Sequence, residues 1–207
     1  MNTTPNVAAL LGIVRRYHPA GVDTEDVRYD ASVEARRLSR IIGAQVRAIS
    51  PDREVGLPDV DEELPDAAAT TMREWRRFLE ALQGTLPDDD VVDTTIPGHD
   101  PCYRCRLYTG GVSIHGGGAE VLLSLLAPVY TVVGEGADRT LARACRLVEE
   151  MFGFTHVSPA LLATPVEDIV PRAGNRALGE AVLGDLLFSP HIDHGWTENG
   201  MEVPPVC

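Results

Sequence analysis

Lysine is absent from the 207 residues, so all 18 basic side chains are arginines. Without lysine there is no Gly-Lys-Ser/Thr phosphate loop, and the glycine cluster from Gly110 to Gly118 is turn punctuation. Basic charge is scarce as well. Against 31 acidic residues it leaves a formal net charge of -13. Such an excess repels nucleic-acid phosphates and anionic membranes, and it favours a basic protein partner. Long hydrophobic runs are missing. The longest, Val121 to Val133, is broken by Ser124, Pro128 and Thr131 and is too short to span a bilayer. The first residues carry no positive charge, and Arg15 and Arg16 follow the apolar stretch Val7 to Val14, the wrong order for a signal peptide. A cytoplasmic protein is the expectation. Its four cysteines, Cys102, Cys105, Cys145 and Cys207, are then expected as reduced thiols.

Catalytic signatures are missing too. No Gly-x-Ser-x-Gly elbow occurs. Cys102, Cys105 and Cys145 sit in patterned elements, which points to packing over reactivity. His191-Ile192-Asp193-His194 has the His-x-Asp of a facial iron triad, but no histidine follows His194 to complete it. The carboxylates lie in runs, whereas catalytic acids need individually perturbed, partly buried positions. The balance is against an enzyme, and no cofactor is implied.

What is present is enough for one folded domain. The hydrophobic fraction is 44% and the charged fraction 24%, ordinary values for a globular chain. A chain of this length buries roughly 70% of its unfolded surface and needs no staples. Val7 to Tyr17 reads as a short amphipathic helix stopped by His18-Pro19, and Asp23 to Tyr29 as loop. Ser32 is positioned to cap a helix through Ala35, Leu38, Ile41, Ile42 and Val46 that ends near Ser50-Pro51. Asp66 is expected to cap the next helix, which runs to about Gln83 with Gly84 as its stop. Met72, Trp75, Phe78, Leu79 and Leu82 form its apolar stripe, and Arg73, Arg76 and Arg77 its wet side.

The period then changes. Val91 to Ile96 predicts a strand. Cys102 to Tyr108 alternates, with Tyr103, Cys105 and Leu107 on one face and Arg104 and Arg106 on the other. Glu120 to Val133 is strand, with an edge, bulge or break demanded at Pro128. A helix from Asp138 to Phe152 follows. Short strands are expected at Phe154 to Val157 and Val166 to Val170, and a last helix over Asn175 to Phe188. The whole reads as one α+β domain over residues 1–188, with N-terminal helices, a central antiparallel sheet and C-terminal helices. Residues 189–207, rich in proline, glycine and polar groups, read as a tail.

Two constellations compete as sites. The first is acidic. Residues 52–66 and 88–100 bracket one helix in sequence, and at its two ends they are expected to come close enough to form a negative patch. Asp59, Asp61, Glu62, Glu63, Asp88, Asp89 and Asp90 are its candidate contacts, with Trp75 as an anchor if exposed. The place of Trp75 on the apolar stripe favours the core instead. The second is a small zinc site or metalloenzyme centre using His99, Cys102, Cys105 and His115. A regular strand turns Cys102 and Cys105 to opposite faces, so this site needs a knuckle there. A third class is an assembly subunit, with the apolar strands around Leu122 to Val133 as an exposed edge.

LGIVRRYHPAGVDTEDVRYDASVEARRL, Leu11 to Leu38, looks like the opening of proteins from GC-rich soil bacteria. CYRCRLY, LLAPVYTVV and GEAVLGDLLFS look similar to the same group. That group resembles the immunity proteins of bacterial polymorphic-toxin systems. The resemblance implies an acidic, cytoplasmic α+β protein that binds and blocks a cognate toxin. It carries no diagnostic motif and assigns no residue a role.

Overall fold

A computed structural model describes residues 5–52, 63–109, 118–134, 138–172 and 176–190. The candidate residues Asp59, Asp61, Glu62 and His115, and the histidines of the tail, lie outside them.

The chain opens with helices that start on polar caps, of which Ser32 is the one expected from the sequence. Asn6 accepts from the Ala9 N–H at 2.9 Å and starts α1, Val7–Val14. Asp26 accepts from the Arg28 N–H at 2.8 Å and starts α2, Val27–Ala31, where the sequence suggested loop. Ser32 accepts from the Ala35 N–H at 3.1 Å and starts α3, Val33–Ile49. α4, Asp66–Thr85, departs in detail from expectation: Pro65 holds the N-cap and makes no side-chain cap bond, so Asp66 is the first helical residue instead. The helix also runs past Gly84, which has open space around it.

Five strands follow: β1 Asp89–Asp93, β2 Cys102–Thr109, β3 Ala119–Ser124, β4 Val129–Gly134 and β5 Thr155–His156. They form one sheet in sequence order. The first four pair antiparallel, as expected. β5 pairs parallel with β4, which makes the sheet mixed. Parallel pairing needs a crossover, and α5, Asp138–Phe152, supplies it. Pro128 marks a break between β3 and β4, so its missing N–H spoils no ladder.

Two expected elements are replaced. Residues 166–170 form no strand, only isolated bridges at Pro165–Val182 and Ala20–Ile169. The expected helix over Asn175 to Phe188 shrinks to α7, Leu183–Leu187, preceded by α6, Pro159–Leu162. Gly179 at φ 91° turns the chain, and the Ala181 carbonyl accepts from the Val166 N–H at 2.8 Å. That tertiary bond holds extended backbone where local propensity favours helix. Val182, still extended, donates its N–H to Asp185 Oδ2 at 3.1 Å and so begins α7.

Both faces of the sheet are covered. Tyr103, Cys105, Leu107, Val121, Leu123 and Tyr130 face α3, α4 and α5. Cys102, Leu122 and Val129 face α1, α6 and α7. The alternation read in β2 is therefore real, but its second face is covered too, with Arg104 at 8% exposure and Arg106 half-buried. Arg104 Nε donates to the Thr94 carbonyl at 2.6 Å, and Arg106 stands 3.4 Å from Glu120. Leu122 to Val133 is interior and offers no exposed edge: every residue from Leu122 to Val133 except Pro128 is buried. Ser124 Oγ donates to the Leu187 carbonyl at 2.9 Å and fastens α7 to the sheet. Ser189, expected as the start of the tail, is fully buried and donates to Asp100 Oδ2 at 2.8 Å. The molecule is a single α+β domain, and no described helix is long and apolar enough to cross a membrane.

Candidate functional site

The acidic candidates fall on the connection from α4 into β1. Asp88 is exposed and Asp90 is half-buried. Asp89 points inward at 8% exposure, and its Oδ2 accepts from Thr140 Oγ1 of α5 at 2.8 Å. It is a structural link between helix and sheet. Trp75 is also inside, at 3% exposure, stacked 5.4 Å from Phe78 and tilted 5.1 Å from Tyr103. Its indole N–H donates to Asp93 Oδ2 at 3.1 Å, which leaves no group for a partner to grip. Asp93 itself is exposed, and its Oδ1 takes the Thr95 N–H at 3.0 Å.

β1 is an edge strand, a position that ordinarily invites pairing with another chain. The Gln83 side chain covers part of it. Its Nε2 donates to the Asp89 carbonyl at 2.8 Å and its Oε1 accepts from the Val91 N–H at 3.0 Å. One amide thus stands in for a neighbouring strand. The sequence places Asp93 in the acidic stretch 88–100 but signals neither its bond to Trp75 nor the role of Gln83, because both act through pairs that only the fold brings together. A cleft of about 240 Å³ beside Asp88 and Asp89 is also lined by Arg139 and Arg143, so cations border the acid surface.

Glu63, exposed, is the other described candidate, and it lies just before the opposite end of α4. A helix of 20 residues holds its ends apart by about 30 Å at 1.5 Å per residue. Proximity in sequence therefore does not make one patch of Glu63 and Asp88 to Asp90. They are two surfaces.

The zinc candidates are also separated. Cys102 belongs to the cluster under α1 and α7, Cys105 to the cluster under α3 to α5, and His99 is exposed. A site using both thiols would have to open β2. No group of three metal-ligating side chains occurs among the described residues. Burial pushes both thiols up. The Asp100 carboxylate adds to this at Cys102, and the Asp93 carboxylate at Cys105. Both are held as neutral thiols at physiological pH. In a Cys207→Ser background, Ellman's reagent is expected to leave Cys102, Cys105 and Cys145 unmodified until denaturant is added. Fast modification of the native protein would contradict the buried placement.

No protein-family model matches the chain, and neither the curated proteins nor the solved structures contain a match to it.

Proposed function

We propose that the chain is a non-enzymatic protein-binding module, an immunity protein that acts in the cytoplasm and neutralises a cognate, basic bacterial toxin. The observation that carries this reading is the acid excess, a net charge of -13, with Asp88 exposed just before the edge strand β1 and Asp93 exposed at its end. Opposite fields speed encounter and set register without requiring a cleft or a nucleophile. The resemblance to immunity proteins supports it from the sequence side.

The first test is capture by the tagged chain at low salt from a lysate of its source organism. Purification of the captured protein and a toxicity assay with and without the chain follow. A partner whose toxicity the chain lifts is the expected result. A chain that lifts the toxicity of nothing it captures overturns the reading. With that partner in hand, Asp88→Asn with Asp90→Asn is expected to slow association about threefold to tenfold and to flatten its salt dependence. Asp89 is left intact because its bond to Thr140 is part of the fold. An unchanged on-rate would remove this edge from the binding surface.

A further inference from the structure

We propose that the open half of the edge strand β1 takes up an extended, basic segment of a protein partner as a further strand of the sheet. The inference rests on the reading of this acidic edge as a binding surface, and it names the element that the partner brings. Thr94 donates its N–H to the Arg104 carbonyl at 3.0 Å and so continues the ladder to β2. Asp90 and Val92 are in phase with Thr94, and their backbone groups also turn to β2. Those of Asp89, Val91 and Asp93 turn outward. Gln83 meets the Asp89 carbonyl and the Val91 N–H and closes the first half of the edge. It leaves the Val91 carbonyl and both backbone groups of Asp93 open, and no described residue hydrogen-bonds to them.

Three features fix the occupant. Open N–H and C=O groups on an edge are matched most directly by the backbone of another extended chain. Edges are commonly blocked by lysine or proline, and β1 has neither between Asp89 and Asp93. Charge then selects the side chains. Asp93 is exposed at the open end of β1, in a chain of net charge -13. The nearest cations are placed elsewhere. Arg106, across from Val92 in β2, stands 3.4 Å from Glu120. The cleft wall that holds Arg139 and Arg143 includes Asp88 and Asp89 but neither Val92 nor Asp93. A second copy of this chain would bring the same carboxylates against each other, and like charges across a strand pair repel. A basic segment meets no such cost. Val92 sets the pattern. It is 38% exposed, and its side chain points away from the face on which Asp93 holds the Trp75 indole. A strand that alternates basic and apolar residues sets a cation beside Asp93 and an apolar side chain beside Val92.

The probe is a seven-residue peptide of alternating arginine and valine, blocked at both ends and titrated into the full chain at low salt. Its control carries methyl groups on the backbone nitrogens of the arginines, which keeps every charge and side chain and removes those N–H donors. The alternating peptide is expected to bind at millimolar concentration or tighter and to slow hydrogen exchange at the Asp93 amide. The control is expected to bind about tenfold more weakly, as loss of one or two net hydrogen bonds should make it. Val92→Arg, at an exposed position that the fold does not depend on, is expected to weaken the alternating peptide by a similar factor. Val27→Arg adds the same charge on α2, at 88% exposure, and is expected to leave binding unchanged. No binding overturns the proposal. Equal binding of the two peptides also overturns it, because charge alone would then account for the attraction. The toxin reading is decided separately by the toxicity assay, so its failure and that of strand addition are distinguishable.

Discussion

Gly134→Ala is expected to destabilise the protein by roughly 3–5 kcal/mol, the sum of backbone strain and overpacking. Gly134 ends β4 opposite Ala119, with φ at 90°, a conformation that residues with a Cβ rarely adopt. A Cβ built there would sit 2.3 Å from the Gly118 carbonyl oxygen and 3.4 Å from the Ala119 Cα. Both obstacles are backbone of the adjoining strand region, so no side chain can swing aside. Relief would require the open end of the β3–β4 pair to part, between two inner strands of the sheet. Gly12→Ala is the contrast. Gly12 lies within α1 with nothing within 4 Å of its missing Cβ. There alanine is expected to stabilise by about 0.5–1 kcal/mol. Urea denaturation of the two variants and the parent checks both signs. A domain of this class has about 5–15 kcal/mol in all, so insolubility of Gly134→Ala beside a soluble Gly12→Ala would carry the same message. A parental midpoint for Gly134→Ala would show that the β3–β4 hairpin can yield.

The local rules of sequence worked where one rule acted alone. Ser32 caps α3 because a serine hydroxyl suits an extended N-cap residue, and nothing in the tertiary structure competes. Trp75, Phe78 and Leu82 are buried because their spacing places them on one side of α4. They failed where a distant partner outbid local preference. Leu178 to Leu187 has helical spacing, but the bond between Val166 and Ala181 holds part of it extended. The short strand β5 was legible, but its direction was not, since that depends on the crossover through α5. The candidate sites divide in the same way. Opposite facing of Cys102 and Cys105 follows from strand period alone and was readable. The split of the acid surface needed the length of α4, and the inward turn of Asp89 needed Thr140.

A second large effect is expected in acid. His18 follows α1 at 2% exposure, and its Nε2–H donates to the Leu186 carbonyl at 3.1 Å. That bond assigns the neutral tautomer with the proton on Nε2. Protonation would have to occur at Nδ1, which is buried without a hydrogen-bond partner. Burial therefore lowers the pKa from 6.5 to about 4, and the Leu186 carbonyl offsets only part of this. Because the folded value lies below the unfolded one, the unfolded chain takes up a proton as pH falls through 6.5 and the folded chain does not. The stability that the neutral ring allows is whole above pH 6.5. It is lost progressively down to about pH 4, below which this group adds no further slope. The gap corresponds to about 3 kcal/mol. His156, whose pKa burial also lowers, acts in the same direction. Neutralising carboxylates in a chain of net charge -13 relieves self-repulsion and works the other way, so the parent's slope alone is ambiguous. The difference between parent and His18→Gln isolates the histidine, because the carboxylates are common to both. Glutamine retains an N–H donor for Leu186, and the variant is expected to start about 1–2 kcal/mol less stable at neutral pH. Urea melts across the acid range are then expected to cross, with the parent losing about 3 kcal/mol more than His18→Gln and ending the less stable of the two. Parallel pH profiles would mean that His18 is not held neutral, and that the contact between α1 and α7 opens to water before the rest of the domain.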